Sequence, residues 1–398
     1  MDSAPNVSGY SGEGTAGRWQ PTAAYLAVFA SLGLVLASLG PALPFLAGRL
    51  GHSVDELAFL FSARAVGSVG GALLGGYLYD RHPGHPLLAV MLLILAAAIF
   101  LFPQAWLLPL LALALFVAGT GEGMLGVGVN TLISWEHPAR AAPFLNGLHF
   151  AFGVGAFLAP MVIVASYRLT GYVALAYTVL ALALLPLALW LVRLPSPLPL
   201  EGGGARVRPG ADDTPVLVAL VLFLALYVGA EIGFGGWIYS YALEREIAGE
   251  TGAALLNSAY WGAFTLGRLV SIPLAALWRP RYLIPAHLLL ALGGLGLLLL
   301  GRPQAAVWAG SVIFGWALAP IFPTTVALAG RRVPLTGRVT SWLMIGGSIG
   351  AMSLPWLLGR IFGAWGAQAT MVALAIDLSL ALLLLLALLG RGQVDHST

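Results

Sequence analysis

Several ionisable side chains lie within long apolar stretches of this chain, where a charge needs a partner or a function. They are Arg64, Glu122, His149, Glu231, Arg268 and Asp377. Such a group is costly unless it pairs with an opposite charge, holds a proton or a cation, or lines a polar cavity. Glu122 and Glu231 are therefore candidate sites for binding H⁺ or Na⁺. Arg64 and Arg268 are their candidate charge partners.

Uncharged polar groups accompany these residues. Asn146 and His149 are three residues apart, so they share one face of a helix, and both side chains form hydrogen bonds without the desolvation cost of a full charge. This pairing favours binding of a hydroxyl-rich solute over a purely structural role for His149. Asn130 lies two turns after Glu122, on a broadly shared face.

Aromatic residues provide the apolar part of the predicted site. Trp237 and Tyr241 follow Glu231 at helical spacing, and aromatic rings beside a carboxylate suit the C–H faces and hydroxyls of a sugar. Anchoring at the membrane interface is the alternative for Tyr241 and, less strongly, for Trp237. Trp261 and Trp316 are weaker candidates for the same cavity.

The composition excludes several classes of protein. Of the 398 residues, 59% are hydrophobic and 9% are charged, whereas a soluble domain is about 25% charged. We therefore exclude a soluble enzyme, a disordered chain and a nucleic-acid binder. The chain has no cysteine for zinc–thiolate sites or disulfides, and no motif that indicates a catalytic nucleophile or a metal site. Because it also has no lysine for a P-loop, we expect an ion gradient or the solute's own gradient to supply the energy.

The long apolar runs predict an all-α polytopic membrane protein, because barrel strands would alternate over about ten residues. The twelve predicted spans are 22–47, 54–79, 86–102, 105–134, 141–165, 171–193, 215–242, 253–278, 282–301, 304–329, 338–358 and 366–389. They divide the chain into a disordered tail (1–21), a first six-helix half (22–193), a linker rich in Pro, Gly and charge (194–214), a second half (215–390) and a short tail (391–398).

The arginines predict the orientation in the membrane. With the N-terminus inside, twelve lie in cytoplasmic segments: Arg18, Arg81, Arg140, Arg193, Arg206, Arg208, Arg279, Arg281, Arg331, Arg332, Arg338 and Arg391. Five lie in outer loops: Arg49, Arg168, Arg245, Arg302 and Arg360. The positive-inside rule therefore predicts that both termini are cytoplasmic.

Short motifs recur between the halves. Gly155-Ala156-x-x-x-Pro160 returns 195 residues later as Gly350-Ala351-x-x-x-Pro355. Ser62-Ala63 and Gly119 return 196 residues later, as Ser258-Ala259 and Gly315. A near-constant offset of half the chain predicts two pseudo-symmetric six-helix halves. Transporters built on this plan bind their solute between the halves near the membrane midplane.

These features resemble the major facilitator superfamily. The segment Gly76-Tyr-Leu-Tyr-Asp80-Arg81-His-Pro-Gly84 is similar to its G-x-L-x-D-R-x-G-R loop, with one inserted residue and with His85 where Arg is usual. The resemblance implies that Asp80 and Arg81 latch the cytoplasmic ends of two helices in the outward-facing state. It also implies that the twelfth span supports the bundle, so we read Asp377 as structural.

Within the superfamily, three stretches are similar to the fucose permeases and sodium-dependent glucose transporters. They are Gly40-Pro41-Ala-Leu-Pro44, the fifth span from Asn146 through His149 to Pro160, and the seventh span from Tyr227 to Tyr241. Members of these branches carry sugars or related small solutes with H⁺ or Na⁺. The fucose permeases carry their fourth-span acid four residues before an Asn, a position that is Gly126 in this chain.

The favoured interpretation is a secondary active importer of a sugar or similar small polar solute, coupled to H⁺ or Na⁺ and working by alternating access. We expect a monomer in the plasma (inner) membrane of a prokaryote, with no cofactor, resident metal or nucleic-acid partner. Three alternatives remain open at this point. They are a proton-antiport exporter of drugs or metabolites, a lipid or lysolipid flippase, and a passive uniporter.

Overall fold

The computed structural model describes residues 15–79, 81–137, 141–197, 214–300, 303–333 and 337–391. Within these ranges the chain forms thirteen α-helices and two short 3₁₀ turns, at Glu56–Ala58 and Phe102–Gln104. The first seven helices are α1 (Thr15–Leu50), α2 (Phe59–Tyr79), α3 (Gly84–Leu101), α4 (Leu108–Glu136), α5 (Ala141–Thr170), α6 (Ala174–Arg193) and α7 (Thr214–Glu244). The others are α8 (Glu250–Leu277), α9 (Pro280–Leu300), α10 (Gln304–Leu318), α11 (Ile321–Gly330), α12 (Gly337–Trp365) and α13 (Ala367–Arg391).

Within the described ranges, eleven stretches are long and apolar enough to cross a membrane, with α10 and α11 counted as one. The more polar α8 completes twelve spans and confirms the predicted all-α membrane fold. Because the number of spans is even, Thr15 and Arg391 lie on the same side of the bundle, which we call the terminal face. The other side is the opposite face.

The structure differs from the sequence-based prediction in three places. The helix α1 begins at Thr15, inside the segment predicted to be a disordered tail. The tenth span is broken between α10 and α11, because Pro320 has no amide hydrogen to continue the helix. The helix α12 continues to Trp365, seven residues beyond its predicted end. Most of the predicted linker and tails lies outside the described residues.

The two halves use the same helix pairs, which confirms the predicted pseudo-symmetry. In the first half, α1 packs with α5, α2 with α4 and α3 with α6. The corresponding pairs in the second half are α7 with α12, α8 with α10 and α9 with α13. The site-bearing helices α1, α2 and α4 therefore have structural counterparts in α7, α8 and α10.

The repeated glycine motif makes the same contact in both halves. Gly155 of α5 lies so close to the carbonyl oxygen of Ala30 on α1 that no Cβ would fit. Gly350 of α12 lies against the carbonyl oxygen of Ala225 on α7 in the same way. Each residue of the second contact is 195 positions after its counterpart in the first. Glycine allows these helix backbones to approach closely. Such close packing stabilises membrane helix pairs, because lipid provides no hydrophobic driving force for their association.

The halves meet on the opposite face. A Cβ on Gly40 of α1 would lie 2.5 Å from the carbonyl oxygen of Gly236 on α7, so the two backbones are in direct contact. Beside this crossing, the rings of Phe61 on α2 and Trp237 on α7 lie 6.4 Å apart between centroids. In the first turn of α2, the Ser62 hydroxyl donates a hydrogen bond to the carbonyl oxygen of Met352 on α12. These contacts close the bundle on the opposite face.

Candidate functional site

A cavity of about 300 Å³ lies between the halves, beside the Gly40–Gly236 crossing. Its first wall comes from α1, α2 and α4 and includes Leu36, Phe61, Arg64, Ser68 and Glu122. Its second wall comes from the second half and includes Val228, Ile232, Trp261, Phe322, Met344 and Ser348. Alanines and glycines complete both walls. Among the lining residues that the structure describes, the ionisable ones are Arg64 and Glu122.

Arg64 and Glu122 form a two-point ion pair in this cavity. The Arg64 Nε atom lies 2.9 Å from Glu122 Oε2, and Nη2 lies 2.9 Å from Oε1. The Nη1 atom donates a third hydrogen bond, of 2.9 Å, to the carbonyl oxygen of Leu36 on α1. Each of the two side chains is about one-tenth exposed. Such fork-like pairing fixes both orientation and charge, and it neutralises the acid within the membrane-spanning region.

Glycines bring this ion pair together. Gly119 of α4 lies against the carbonyl oxygen of Arg64 on α2, and Gly123, one turn later, lies against that of Ser68. A Cβ at either glycine would overlap the facing backbone. The resulting close approach of α2 and α4 brings the Arg64 guanidinium to the Glu122 carboxylate. The glycine-rich sequence around Glu122 thus has a direct structural purpose.

The second acid has a looser partner. The Nη2 atom of Arg268 on α8 lies 3.9 Å from Oε1 of Glu231 on α7, beyond hydrogen-bond distance. The Arg268 guanidinium also lies 4.4 Å from the centre of the Phe264 ring, which adds a cation–π contact. Glu231 is buried, although it is not among the lining residues of the cavity. Its carboxylate also interacts with the Tyr227 hydroxyl, but it lacks the two-point ion pair that holds Glu122.

Trp237 and Tyr241 do not face the cavity. Both are fully buried, and Trp237 Nε1 donates a 2.9 Å hydrogen bond to the carbonyl oxygen of Pro355 on α12. The Tyr241 hydroxyl donates to the carbonyl oxygen of Leu298 on α9, at 3.0 Å. These partners fix both rings in the helix interfaces near the opposite face. Neither ring lines the cavity in this arrangement, so the contact of both with the solute stays a prediction.

Of the remaining aromatic candidates, Trp261 lines the cavity and Trp316 does not. Trp261 of α8 lines the cavity and packs on Gly235 of α7. Its Nε1 atom is buried and has no hydrogen-bond partner in the described part of the chain. Trp316 is half-buried on α10, outside the lining of this cavity, and its backbone lies against Gly267 of α8.

The predicted amide and imidazole groups also lie outside the cavity lining. The Nδ2 atom of Asn130 donates to the carbonyl oxygen of Gly126 in its own helix, at 2.8 Å. Asn146 and His149 are both exposed on α5, and the His149 ring lies edge-on to Phe29 of α1. In this arrangement the three residues do not join the group formed by Arg64, Glu122 and Trp261.

Two further predictions concern positions away from the cavity. Asp80 lies outside the described residues, so the proposed latch remains a prediction. Arg81 is exposed, with its guanidinium 3.7 Å from the centre of the Tyr77 ring. Asp377 of α13 is buried and is not a lining residue of the cavity, so its structural role also remains a prediction. No group of three metal-ligating side chains occurs in the residues that the structure describes.

Sequence reasoning missed several lining residues. Ser68 is one turn after Arg64 on α2 and therefore lies on the same helix face. Its spacing from a charged candidate is the sequence signal that could have identified it. Phe61 lies one turn before Arg64 on the same face. Ser348, Phe322 and Met344 belong to spans without an ionisable marker at mid-depth, and nothing in their local sequence distinguishes them from ordinary packing residues.

Comparison with known proteins places this geometry in a family. The model of the Major Facilitator Superfamily matches residues 24–333. The chain is 27% identical over 362 residues to sodium-dependent glucose transporter 1 of Xenopus laevis, an alignment that covers 83% of this chain and 73% of that protein.

Solved structures share the fold at low sequence identity. A variant of the nucleoside transporter NupG superimposes with a TM-score of 0.76 at 13% identity, over 93% of this chain and 99% of that one. A bacterial homologue of the human lysosomal transporter Spinster, in an inward-facing and occupied conformation, gives 0.76 at 14% identity, over 94% and 97%. At these identities the likeness establishes the fold alone.

Proposed function

The chain belongs to the major facilitator superfamily, and we propose that it is a cation-coupled importer of a sugar or similar small polar solute. That it is a multi-pass membrane transporter of small molecules, and not an enzyme, follows from its family and fold. The finer assignment to sugars is supported by the name of its relative, the sodium-dependent glucose transporter.

The observation that carries the proposal is the cavity between the halves. Its volume of about 300 Å³ is at the lower end of the range for small-molecule sites, roughly 300–1,000 Å³. A monosaccharide suits such a volume better than a two-chain lipid does. The cavity combines one neutralised ion pair, Arg64 with Glu122, with aromatic rings from Phe61 and Trp261. Sugars present hydroxyls at their edge and C–H groups on their faces, which match these two kinds of wall.

For the coupling ion we favour Glu231 over Glu122. Both oxygens of Glu122 already accept hydrogen bonds from Arg64. Glu231 has Arg268 at 3.9 Å, so a proton or Na⁺ competes there with a weaker internal partner. One cation that moves down a membrane potential supplies about 2.3 kcal/mol per 100 mV. This energy supports accumulation of a solute that itself carries no charge.

Orientation and conformational state follow from the same proposal. The excess of arginines on the terminal side supports an orientation with both termini in the cytoplasm. The Gly40–Gly236 crossing closes the opposite face, which in that orientation is the outer one. The cavity then belongs to an inward-facing state of a monomer that alternates access by rocking its two halves.

A thermal-shift panel on the detergent-purified protein tests the proposed solute class. We expect monosaccharides to raise the unfolding temperature, with a larger shift when Na⁺ or acidic pH supplies the coupling ion, because a ligand stabilises the state that it binds. A shift produced only by lipids or cationic drugs would overturn the sugar assignment.

One observation favours a second candidate, an exporter of amphipathic compounds. The second wall of the cavity consists of Val228, Ile232, Trp261, Phe322 and Met344, with Ser348 as a hydroxyl-bearing member. Such a wall suits an apolar ring system, and neither Asn146 nor His149 is among the lining residues of this cavity. The drug arm of the thermal-shift panel distinguishes this candidate from the sugar importer.

A further inference from the structure

We propose that the intact Arg64–Glu122 ion pair recognises a vicinal diol of an uncharged solute, while the wall of the second half contacts the solute's apolar face. This inference rests on the proposed function and names the chemical feature that the site reads. Hexoses and ribonucleosides both carry such a diol, and the test below separates them.

The two walls of the cavity differ in polarity. Arg64, Glu122 and Ser68 lie on the first half, on two adjacent helices. Across the cavity, Ile232, Trp261 and Phe322 present hydrocarbon and aromatic surface. A solute held between these walls meets both charged side chains on one side and, apart from the Ser348 hydroxyl and the Trp261 N–H, apolar groups on the other. It must therefore have hydroxyls along one edge and a ring face that tolerates contact with aromatic groups.

The ion pair retains hydrogen-bonding capacity. A guanidinium has five N–H groups. In Arg64, Nε and one N–H of Nη2 point to Glu122, and one N–H of Nη1 points to Leu36. Five minus these three leaves two N–H donors, one on each terminal nitrogen. The Glu122 carboxylate offers about four lone-pair positions, of which the Arg64 bonds occupy three.

Two adjacent hydroxyls match this remaining capacity. One oxygen accepts from a free Arg64 N–H, and the other accepts from the second N–H or donates its own hydrogen to the open Glu122 position. A single hydroxyl uses only part of the pair. A site built to hydrogen-bond a substrate hydroxyl discriminates strongly against an analogue that lacks it, because the site's polar atoms are then left unpaired.

The ion pair also selects against charge. An anionic solute would compete with Glu122 for Arg64, and a cationic one would compete with Arg64 for Glu122. Either would leave a charged side chain about one-tenth exposed and without its partner, which is strongly unfavourable. Because no other ionisable residue is among the described lining residues, nothing else in the cavity compensates for that loss. The pair therefore stays closed when an uncharged diol binds.

Binding measurements on the full-length, detergent-purified protein test this inference. The probes are two pairs: uridine with 2′-deoxyuridine, and D-glucose with tetrahydropyran-2-methanol, which keeps the ring but lacks its diols. We expect the diol member of at least one pair to bind more than about tenfold tighter than its partner. Which pair responds tells whether the diol belongs to a nucleoside or a hexose.

The variants assign that discrimination to the ion pair. In Arg64→Met/Glu122→Met, which keeps unbranched side chains but removes both charges and every hydrogen-bonding group of the pair, we expect the affinity ratio within the responding pair to fall to near one. Arg64→Lys keeps the positive charge but loses the two-point hydrogen bonding of the guanidinium. Its affinity ratio should therefore lie between those of the parent and of the double variant. Asp377→Asn removes a buried acid outside the cavity and should keep the parent ratio. Size-exclusion profiles show which variants remain folded.

These measurements distinguish failure of the diol inference from failure of the proposed function. If the folded ion-pair variants keep the parent ratio, the diol inference is wrong while the proposed sugar transport stands. If no diol compound binds the parent chain but cationic amphiphiles do, the proposed function and the inference both fail.

Discussion

Arg64 and Tyr260 occupy equivalent positions in the two halves and make the same hydrogen bond with different chemistry. Arg64 donates to the carbonyl oxygen of Leu36 at 2.9 Å, and Tyr260 donates to the carbonyl oxygen of Glu231 at 2.8 Å. The two donors are 196 residues apart and the two acceptors 195. Both halves therefore have this hydrogen bond between helices, but only in the first half is the donor a charged side chain.

The equivalent contacts of the halves predict equivalent sensitivity to mutation. Gly155→Ala should force α5 away from Ala30 of α1, and Gly350→Ala should force α12 away from Ala225 of α7. Overpacking of this kind costs about 1–3 kcal/mol. We expect both variants to unfold at lower temperature in detergent. Gly293→Ala on α9, where a Cβ meets open space, is the control and should be neutral or stabilising. Equal unfolding temperatures for all three variants would contradict the prediction that these two contacts tolerate no added methyl group.

The Gly40–Gly236 crossing predicts a shift between conformational states. A methyl group on Gly40→Ala would lie 2.5 Å from the Gly236 carbonyl oxygen, so it should destabilise the state in which the opposite face is closed. Because the chain has no native cysteine, an introduced Ala37→Cys reports access to the cavity. We expect faster labelling by an impermeant maleimide from the opposite face. Gly48→Ala, also on α1 but in open space, should leave labelling unchanged.

The two tryptophans near the cavity predict different phenotypes for one substitution. Trp261→Phe shortens a ring that lines the cavity, so solute affinity should fall. Trp237→Phe removes the hydrogen bond to the Pro355 carbonyl oxygen, so stability should fall by about 1 kcal/mol with little change in affinity. Titration and thermal unfolding of both variants check this division. Loss of affinity in Trp237→Phe alone would return Trp237 to the binding site.

The unequal ion pairs predict which acid couples transport. Glu231→Gln keeps the shape of the side chain but removes its charge, so we expect solute exchange between equal pools to continue while uphill accumulation is lost. Glu122→Gln should instead weaken solute binding, because Arg64 loses its partner. Exchange and accumulation are measured side by side in proteoliposomes. Normal accumulation by Glu231→Gln would remove that acid from the coupling step.

Most of the fold could be predicted from the sequence, because the signals that specify it are local. Apolar runs of about twenty residues define membrane helices without knowledge of their neighbours. The interruption at Pro320 was also a local signal, since proline cannot continue the hydrogen bonding of a helix. The start of α1 at Thr15 was not, because its first turns are polar and resemble a tail.

The site was less predictable because it depends on helix rotation. Glu122 and Arg64 were identified as a pair by charge and depth. Trp237 was assigned to the cavity because aromatic residues near a buried acid suggest a binding face, but α7 turns it towards Pro355 of α12. Ser348 carries no mid-span charge that marks it, and only the three-dimensional arrangement brings it to the cavity.

Uptake of D-glucose by proteoliposomes containing the purified chain tests the central claim most directly. The vesicles carry an inward Na⁺ gradient, an inward H⁺ gradient or neither, with an ionophore that collapses each gradient as the control. We predict accumulation above the external concentration under one of the two gradients and its loss with the matching ionophore. Entry that stops at equal concentrations under every condition, or no entry at all, would contradict cation-coupled sugar transport.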